Sequence, residues 1–130
     1  MLAAMVLASC TTAPAPPQLQ AGKRPVEANG PSLTIALTAE KNAFDKKTIT
    51  VPAGAVVTVV FSNNDSVVSH NFAIYETPTS PQAIYKGEFV TPGKNIEYTF
   101  IAPSKAGTHV FECDAHSKEM HGDFVVTAAQ

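Results

Sequence analysis

The feature that most constrains the fold is a series of short segments after residue 31, each alternating between apolar and polar residues. A period of two is the pattern of β-strands with one buried face, and turn-forming residues separate the segments about every ten residues. No stretch after residue 31 has a convincing helical period, and residues 38–45 hold at most one or two helical turns. The strand-like segments are residues 33–39, 47–51, 56–61, 70–75, 95–101, 108–113 and 122–127.

These segments predict an all-β fold, a Greek-key antiparallel β-sandwich of seven to eight strands. An eighth short strand is expected near Phe89, inside the loop-like stretch 76–94, which contains several prolines and glycines. Residues 32–130 suffice for one such sandwich and are too few for a second domain. The sequence has no internal repeat, so we predict a single folded domain over residues 32–130.

Composition excludes several classes of protein. The chain has 130 residues, of which 45% are hydrophobic and 15% charged, so it can build a core. Its net charge of −2 argues against a nucleic-acid-binding protein. No apolar run is long enough to span a bilayer, and two cysteines cannot form a disulfide scaffold. Phosphate-binding, dinucleotide-binding and zinc-protease motifs are absent.

Residues 1–10, with the sequence MLAAMVLASC, form an apolar stretch that ends in small residues and a cysteine. The last four resemble the lipobox of bacterial lipoproteins, which implies a signal-peptide remnant and a lipid attached to Cys10. The stretch has no preceding Lys or Arg and is shorter than a usual signal core. Either the true start lies upstream or the match is accidental.

Residues 11–31 contain five of the ten prolines and show no apolar periodicity. This composition predicts an extended, Pro-rich linker. After a lipidated cysteine, such a linker would lift the domain away from the membrane headgroups. An ordinary frayed terminus explains the same composition equally well.

One eight-residue span between two predicted strands contains a thiolate, an imidazole and a thioether, from Cys113, His116 and Met120. This cysteine and this methionine are the only ones in the predicted domain. His70 begins a different predicted strand, and parity turns it toward the same face as Phe72. Taken singly, a buried cysteine or methionine is usually core filling. Their grouping around a histidine, with a second inward-facing histidine elsewhere, favours a metal site.

The donor set favours copper. Two histidines and a cysteine in a trigonal arrangement, with a weak axial methionine, make a blue-copper site. Such a set compromises between the preferences of Cu(I) and Cu(II), so the ion changes oxidation state with little ligand movement. We therefore predict one copper ion (Cu+/Cu2+) per chain. Four protein ligands leave no open position for a substrate, so we predict that the protein is not an enzyme.

The chain resembles the cupredoxins, the small blue copper proteins such as plastocyanin, amicyanin and pseudoazurin. Three blocks carry the resemblance: residues 44–54 (FDKKTITVPAG), residues 64–72 and residues 107–122. The spacing C-x₂-H-x₃-M has one residue more before the methionine than amicyanin-like loops and one fewer than plastocyanin-like loops. The resemblance is specific for the fold and the metal, and much less specific for the partner.

The resemblance also implies the roles of individual residues. Asn71, directly after the first histidine, is implied to hydrogen-bond to the ligand loop. The implied copper ligands are His70, Cys113, His116 and Met120.

Two histidines depart from the family pattern. His109 stands four residues before Cys113, where tyrosine is common, and His121 directly follows Met120. Gly122 matches a family glycine and so aligns Met120 as the axial ligand, which leaves His121 exposed. If His121 coordinated instead, the site would be more tetragonal and would favour Cu(II).

The leading hypothesis is a one-electron carrier between periplasmic or membrane-surface redox partners. The family implies that electrons pass through the exposed edge of His116 during transient contact with a cytochrome, an oxidase or a reductase. The alternative is a periplasmic copper chaperone or copper-storage protein, which the additional histidines and the lipid tether favour. A metal-free interaction domain is a third hypothesis.

The expected compartment follows from the signal-like start and from copper chemistry. Both indicate the periplasm or the extracytoplasmic membrane face of a bacterium. We expect a monomer that contacts the membrane surface only through the N-terminal lipid.

Overall fold

A computed structural model describes residues 30–129 and contains nine β-strands and no helix in that range. The strands are β1 (Ser32–Glu40), β2 (Ala43–Phe44), β3 (Thr48–Pro52), β4 (Val56–Asn63), β5 (Ala73–Tyr75), β6 (Ala83–Lys86), β7 (Asn95–Ile101), β8 (Gly107–Glu112) and β9 (His121–Thr127).

The strands form two sheets that pack as a sandwich, which confirms the predicted fold class. One sheet has the order β2-β1-β4-β7 and the other the order β3-β9-β8-β5-β6. Both sheets are mixed and not purely antiparallel as predicted, because β1 pairs with β4 and β3 pairs with β9 in parallel. Between β1 and β4 the chain crosses to the other sheet to form β3, so β4 returns beside β1 in the same direction. Alternation shows which face of a strand is buried, but it carries no signal for the direction of the neighbouring strand.

The number of strands differs from the predicted seven or eight because short pairings escaped the periodicity. Instead of helical turns, residues 38–45 contain a β1–β2 hairpin. Its tip is formed by Lys41 and Asn42, which have positive φ angles of 54° and 53°. Positive φ at both central residues is the geometry of the tight hairpin turn that matches strand twist.

Two further boundaries differ between β5 and β7. The strand expected near Phe89 lies earlier, at β6, and β5 begins at Ala73 instead of His70. His70 and Val90 instead form an isolated bridge, exchanging backbone hydrogen bonds of 3.1 and 2.8 Å. The residues that precede β5 are therefore tied to the β6–β7 connection.

The core between the sheets is rich in aromatic rings. Phe72 lies at its middle, with its ring centroid 5.7 Å from that of Phe111 and 6.2 Å from that of Tyr98. Such pairs stabilise by about 0.5–1.5 kcal/mol beyond the area that they bury. The same core cluster includes Cys113 and Met120, both fully buried. The candidate ligands are thus continuous with the core of the sandwich.

The N-terminal predictions lie outside the described residues. These are the signal-peptide remnant with Cys10 and all but the last two residues of the predicted linker. Among residues 30–129, no helix is long and apolar enough to cross a membrane.

Candidate metal centre

Three strands of one sheet bring the predicted ligands to the same end of the sandwich. Strand β8 pairs with β5 on one side and with β9 on the other. His70 precedes β5, Cys113 directly follows β8, and Met120 directly precedes β9. Antiparallel pairing therefore places the end of β8 beside the beginnings of its two neighbours.

The ligand atoms of two histidines and the cysteine converge. Cys113 Sγ lies 3.7 Å from His70 Nδ1 and 3.6 Å from His116 Nδ1. All three atoms lie within 4.8 Å of one another. Nitrogen and sulfur atoms that lie about 2.1 and 2.3 Å from one metal ion at a trigonal angle are separated by roughly 3.8 Å. The spacing of this group therefore fits one ion, and its donors are those that copper takes.

Met120 is held beside this group by the backbone of the loop. The Cys113 amide donates to the Met120 carbonyl over 3.0 Å, and the Met120 amide donates to the His116 carbonyl over 2.8 Å. The Met120 side chain is fully buried in the core cluster that contains Cys113. The structure thus brings all four predicted ligands to one region.

A close approach fixes the strand that follows the loop. A Cβ atom added at Gly122 would lie 2.5 Å from the Lys47 carbonyl oxygen and 2.5 Å from the Phe111 ring. Only glycine allows β9 to lie this close to both neighbours. This contact fixes the position at which the chain leaves Met120.

A carboxylate orients the first histidine. The His70 Nε2 atom hydrogen-bonds to Asp65, which also accepts from the backbone amides of Lys41 (2.7 Å) and Asn42 (3.3 Å). Burial raises the pKa of Asp65, but hydrogen bonds from His70 and these two amides outweigh burial and hold the pKa below its ordinary value. An ionised acceptor keeps the proton on Nε2, so Nδ1 has its lone pair free for a metal.

Asn71 connects the two chain segments that carry ligands. Its Nδ2 atom donates to Asp114 Oδ2 over 2.8 Å and to the Gly87 carbonyl over 3.0 Å, while its Oδ1 atom accepts from the Asp114 amide over 2.9 Å. Asn71 is fully buried, and Asp114 directly follows Cys113. These bonds therefore hold the start of the ligand loop against the segment that carries His70.

The Asp114 carboxylate has two further partners. Tyr75 donates to Oδ1 over 2.6 Å, and Lys86 Nζ lies 3.2 Å from Oδ2. Burial raises the pKa of Asp114, but hydrogen bonds from Tyr75, Asn71 and Lys86 outweigh it and lower the pKa. The same carboxylate raises the pKa of Tyr75 to about 12, because it accepts the phenolic hydrogen.

Sequence reasoning missed these two carboxylates. Asp65 and Asp114 were visible as acids five residues before His70 and one residue after Cys113. Metal-binding histidines commonly donate to carboxylates, so acids near predicted ligands were the available signal. Tyr75 and Lys86 gave no such signal, because only the β5–β6–β8 pairing brings them to Asp114.

The structure brings neither additional histidine to the candidate centre. His121 is exposed, and its Nδ1 lies 3.0 Å from the Ser117 carbonyl oxygen. His109 lies toward the opposite end of β8 from Cys113. Neither belongs to the group of converging ligand atoms among the described residues.

The sequence profile of the cupredoxin-like domain matches residues 1–126 of this chain. The chain belongs to the cupredoxin-like family. This cupredoxin is also 30% identical, over 124 residues, to auracyanin-A of Chloroflexus aurantiacus. That match covers 75% of this chain and 76% of auracyanin-A. The resemblance inferred from the three sequence blocks is therefore confirmed.

Solved structures agree with this assignment. Auracyanin A from Chloroflexus aurantiacus, described as a "blue" copper protein, superposes with a TM-score of 0.66 at 28% identity, over 74% of this chain and 99% of that one. Reduced auracyanin from Roseiflexus castenholzii gives a TM-score of 0.64 at 29% identity, over 72% and 96% of the two chains. Rusticyanin from Thiobacillus ferrooxidans, at 20% identity and a TM-score of 0.62 over 74% and 77%, shares the fold.

Proposed function

We propose that this cupredoxin is a mononuclear type 1 copper protein that carries single electrons between redox partners outside the cytosol. The observation that carries the proposal is the buried Cys113 sulfur, which lies within 3.7 Å of the Nδ1 atoms of two histidines. His70, Cys113 and His116 would hold one copper ion in a plane, and Met120 would be the weak axial ligand. The bound ion would supply a reversible one-electron couple.

The environment of the ligands supports a carrier and not an enzyme. The side chains of His70, Cys113 and Met120 are fully buried, and four protein ligands would leave no open coordination position for a substrate. Asp65 and Asn71 would act as positioning residues, because they hold His70 and the start of the ligand loop through hydrogen bonds. Ligands that are fixed in this way keep nearly the same arrangement when the ion changes its charge.

The route for electrons is the ring of His116, the one proposed ligand that is partly exposed. Two large exposed apolar side chains, Val67 and Phe89, lie on the chain segments next to His70. Asn63 ties these segments together by donating to the carbonyls of Val68 and Val90, both over 2.8 Å. The His70 ring centroid lies 5.0 Å from that of His116, so exposed apolar side chains on these segments would suit a small, transient contact with another redox protein.

The loop offers little net charge for steering a partner. Lys118 and Glu119 are both exposed and opposite in sign, so long-range attraction would be weak. We propose a monomer that meets a cytochrome, an oxidase or a reductase around His116 and does not bind nucleic acid. The net charge of −2 supports the last point.

The location is proposed from the sequence. Residues 1–10 would be the remnant of a signal peptide with a lipobox, and Cys10 would carry the lipid. Residues 11–31 would be the tether, and residues 32–130 the domain that it holds. This arrangement would place the copper centre in the periplasm or at the extracytoplasmic face of a bacterial membrane.

Visible absorption and EPR spectra of the full chain loaded with Cu(II) test the proposal. The chain should carry Cys10→Ala so that Cys113 is its only thiol. We expect an intense thiolate-to-copper band and a narrow hyperfine splitting that both saturate at one equivalent of copper per chain. Cys113→Ser in the same background should lose the band completely, because the thiolate is its source.

The spectra also separate the alternatives. A pale, tetragonal spectrum from the parent would favour copper storage or delivery, and the absence of stoichiometric binding would favour a metal-free interaction domain. If the intense band persisted in Cys113→Ser, the assignment of the sulfur ligand would be wrong. Transfer of copper to a metal-free acceptor is the direct assay for a chaperone, and a carrier should retain its ion.

A further inference from the structure

A hollow of about 550 Å³ lies at the opposite end of β8 from Cys113. It is bounded by the chain after β5, by β6 and by the connection between β7 and β8. Most of its lining is apolar and includes Ile84 and Pro103, while Glu76, Lys105 and His109 supply the charged and titratable groups. None of these residues takes part in the proposed copper centre.

His109 is the unusual residue of this hollow. Its side chain is only 9% exposed, yet neither ring nitrogen has a hydrogen-bond partner within residues 30–129. Buried polar groups in proteins are nearly always paired, so an orphaned imidazole is a sign of a missing water, ion or ligand. The nearest charged group is Glu76, whose Oε2 atom lies 3.6 Å from His109 Nδ1.

That distance is too long for a hydrogen bond between the two groups. It is instead close to the separation of two atoms that bind the same metal ion, since nitrogen and oxygen ligands lie about 2.0–2.2 Å from zinc. A neutral imidazole with its proton on Nε2 would present the Nδ1 lone pair to the ion. The Glu76 carboxylate would supply the opposite charge.

We propose that Glu76 and His109 bind a second metal ion, a divalent ion of the Zn²⁺ or Cu²⁺ class, independently of the type 1 centre. Imidazole together with carboxylate suits both ions, and water would complete the coordination. The site lacks a thiolate, so copper bound there would stay divalent. It would absorb only weakly in the visible range and give a tetragonal EPR signal. Cys113 lies four positions after His109, which is roughly 13 Å along an extended strand.

The surroundings set the character of the site. The Glu76 side chain is 69% exposed, so it can swing to meet an ion that enters from solvent. Lys105 also lines the hollow, but it is an exposed residue whose long side chain can turn outward. With two protein ligands and one of them mobile, we expect exchangeable binding that responds to the local metal concentration.

The proposal is tested by titrating zinc into the full chain, which carries Cys10→Ala and is preloaded with one equivalent of copper. Calorimetry measures the binding, and NMR follows the histidine ring signals. His121→Gln is the matched control, because His121 is an exposed histidine elsewhere on the same sheet. We expect the parent and His121→Gln to bind one zinc ion that shifts the His109 ring signals. His109→Gln should lose this binding, and Glu76→Gln should weaken it at least tenfold.

A second titration with Cu²⁺ gives an independent readout. The second equivalent should add a tetragonal EPR signal to the parent and to His121→Gln, and this signal should be absent from His109→Gln, while the visible band of the first copper is unchanged. The proposal is overturned if zinc leaves the His109 signals in place, or if Glu76→Gln binds zinc as tightly as the parent. In that case, the two residues form only an ion pair. Failure of the type 1 assignment would show instead as a missing visible band.

Discussion

The two histidines of the proposed copper centre are held in opposite ways. His70 is fully buried, and its backbone forms a β-bridge with Val90. Its Nε2 atom hydrogen-bonds to Asp65. His116 sits in the middle of the ligand loop and is partly exposed. One histidine is built into the sandwich, and the other is presented to solvent. If the two histidines bind copper as proposed, the fold would fix the ion at His70 and give a partner access to it at His116.

The interactions that hold His70 also differ in kind from those that hold the loop containing His116. His70 is fixed by a contact that reaches a distant part of the chain, since the turn at Lys41 and Asn42 orders the Asp65 carboxylate that accepts the hydrogen bond from its Nε2 atom. The loop around His116 is closed mainly by its own backbone, with the Cys113 and Met120 amides bonding across it. The His70 side should therefore tolerate less change than the His116 side.

The largest expected effect compares His70→Gly with His116→Gly. Both variants should lose the intense visible band, but added imidazole should restore it in His116→Gly, because the vacated position opens to solvent. In His70→Gly, the added ligand must enter a closed position. We expect at least about a tenfold weaker apparent affinity there, equivalent to ~1.4 kcal/mol. Titration with imidazole, followed by the visible band, measures the difference, and equal affinities would remove the proposed asymmetry.

Asp65→Asn removes the negative charge beside His70 but keeps the size and shape of the side chain. The amide can still accept a hydrogen bond, but the negative charge that favours Cu(II) is gone, so the reduction potential should rise. We expect a rise on the order of 60 mV, which is a tenfold change in a one-electron equilibrium. Protein-film voltammetry of the copper-loaded variant measures it. An unchanged or lowered potential would show that the Asp65 charge does not act on the centre.

Asp114→Asn makes the corresponding change on the loop side. The potential should rise less, on the order of 30 mV, because Lys86 lies 3.2 Å from the carboxylate and already offsets its charge. Tyr75→Phe is the matched control, since it removes one hydrogen bond and no charge. It should cost about 1 kcal/mol of stability in chemical denaturation and leave the potential nearly unchanged. A larger shift for Asp114→Asn than for Asp65→Asn would reverse the ranking of the two sides.

The smallest effect is expected for His121→Gln. Its ring is exposed and lies near the Ser117 carbonyl, away from the converging ligand atoms. The visible band, the hyperfine splitting and the potential should therefore match those of the parent within experimental error. A spectrum less tetragonal than that of the parent, reversed by added imidazole, would show that His121 reaches the copper.

Much of the fold was readable from alternation, because a sandwich buries one face of each strand. The β7 segment was predicted with its observed limits, and β4 and β9 within two residues. The parallel pairs and the two-residue β2 were not predictable in this way. Strand direction depends on how the chain crosses between sheets, and β2 depends on the left-handed conformations of Lys41 and Asn42.

For the candidate centre, the sequence pointed to His70, Cys113, His116 and Met120 because donor residues were grouped within one loop and on one distant strand. It pointed to Asn71 only through the family resemblance. Asp65 and Asp114 lie near predicted ligands in the sequence, but their contacts with distant residues depend on which loops the sheets bring together. Partners that meet only through tertiary structure leave no periodic trace in the chain.

The closure of the ligand loop has a consequence for how such a centre can diversify. Glu112 and His121 are the last paired residues of β8 and β9. The chain between them is therefore a loop whose two ends are fixed by strand pairing. A residue could be added to or removed from this loop without shifting the register of either strand or disturbing the close approach at Gly122. The same sandwich could then carry ligand loops of different lengths. Each loop would present a different surface beside the copper, while His70 would keep its position.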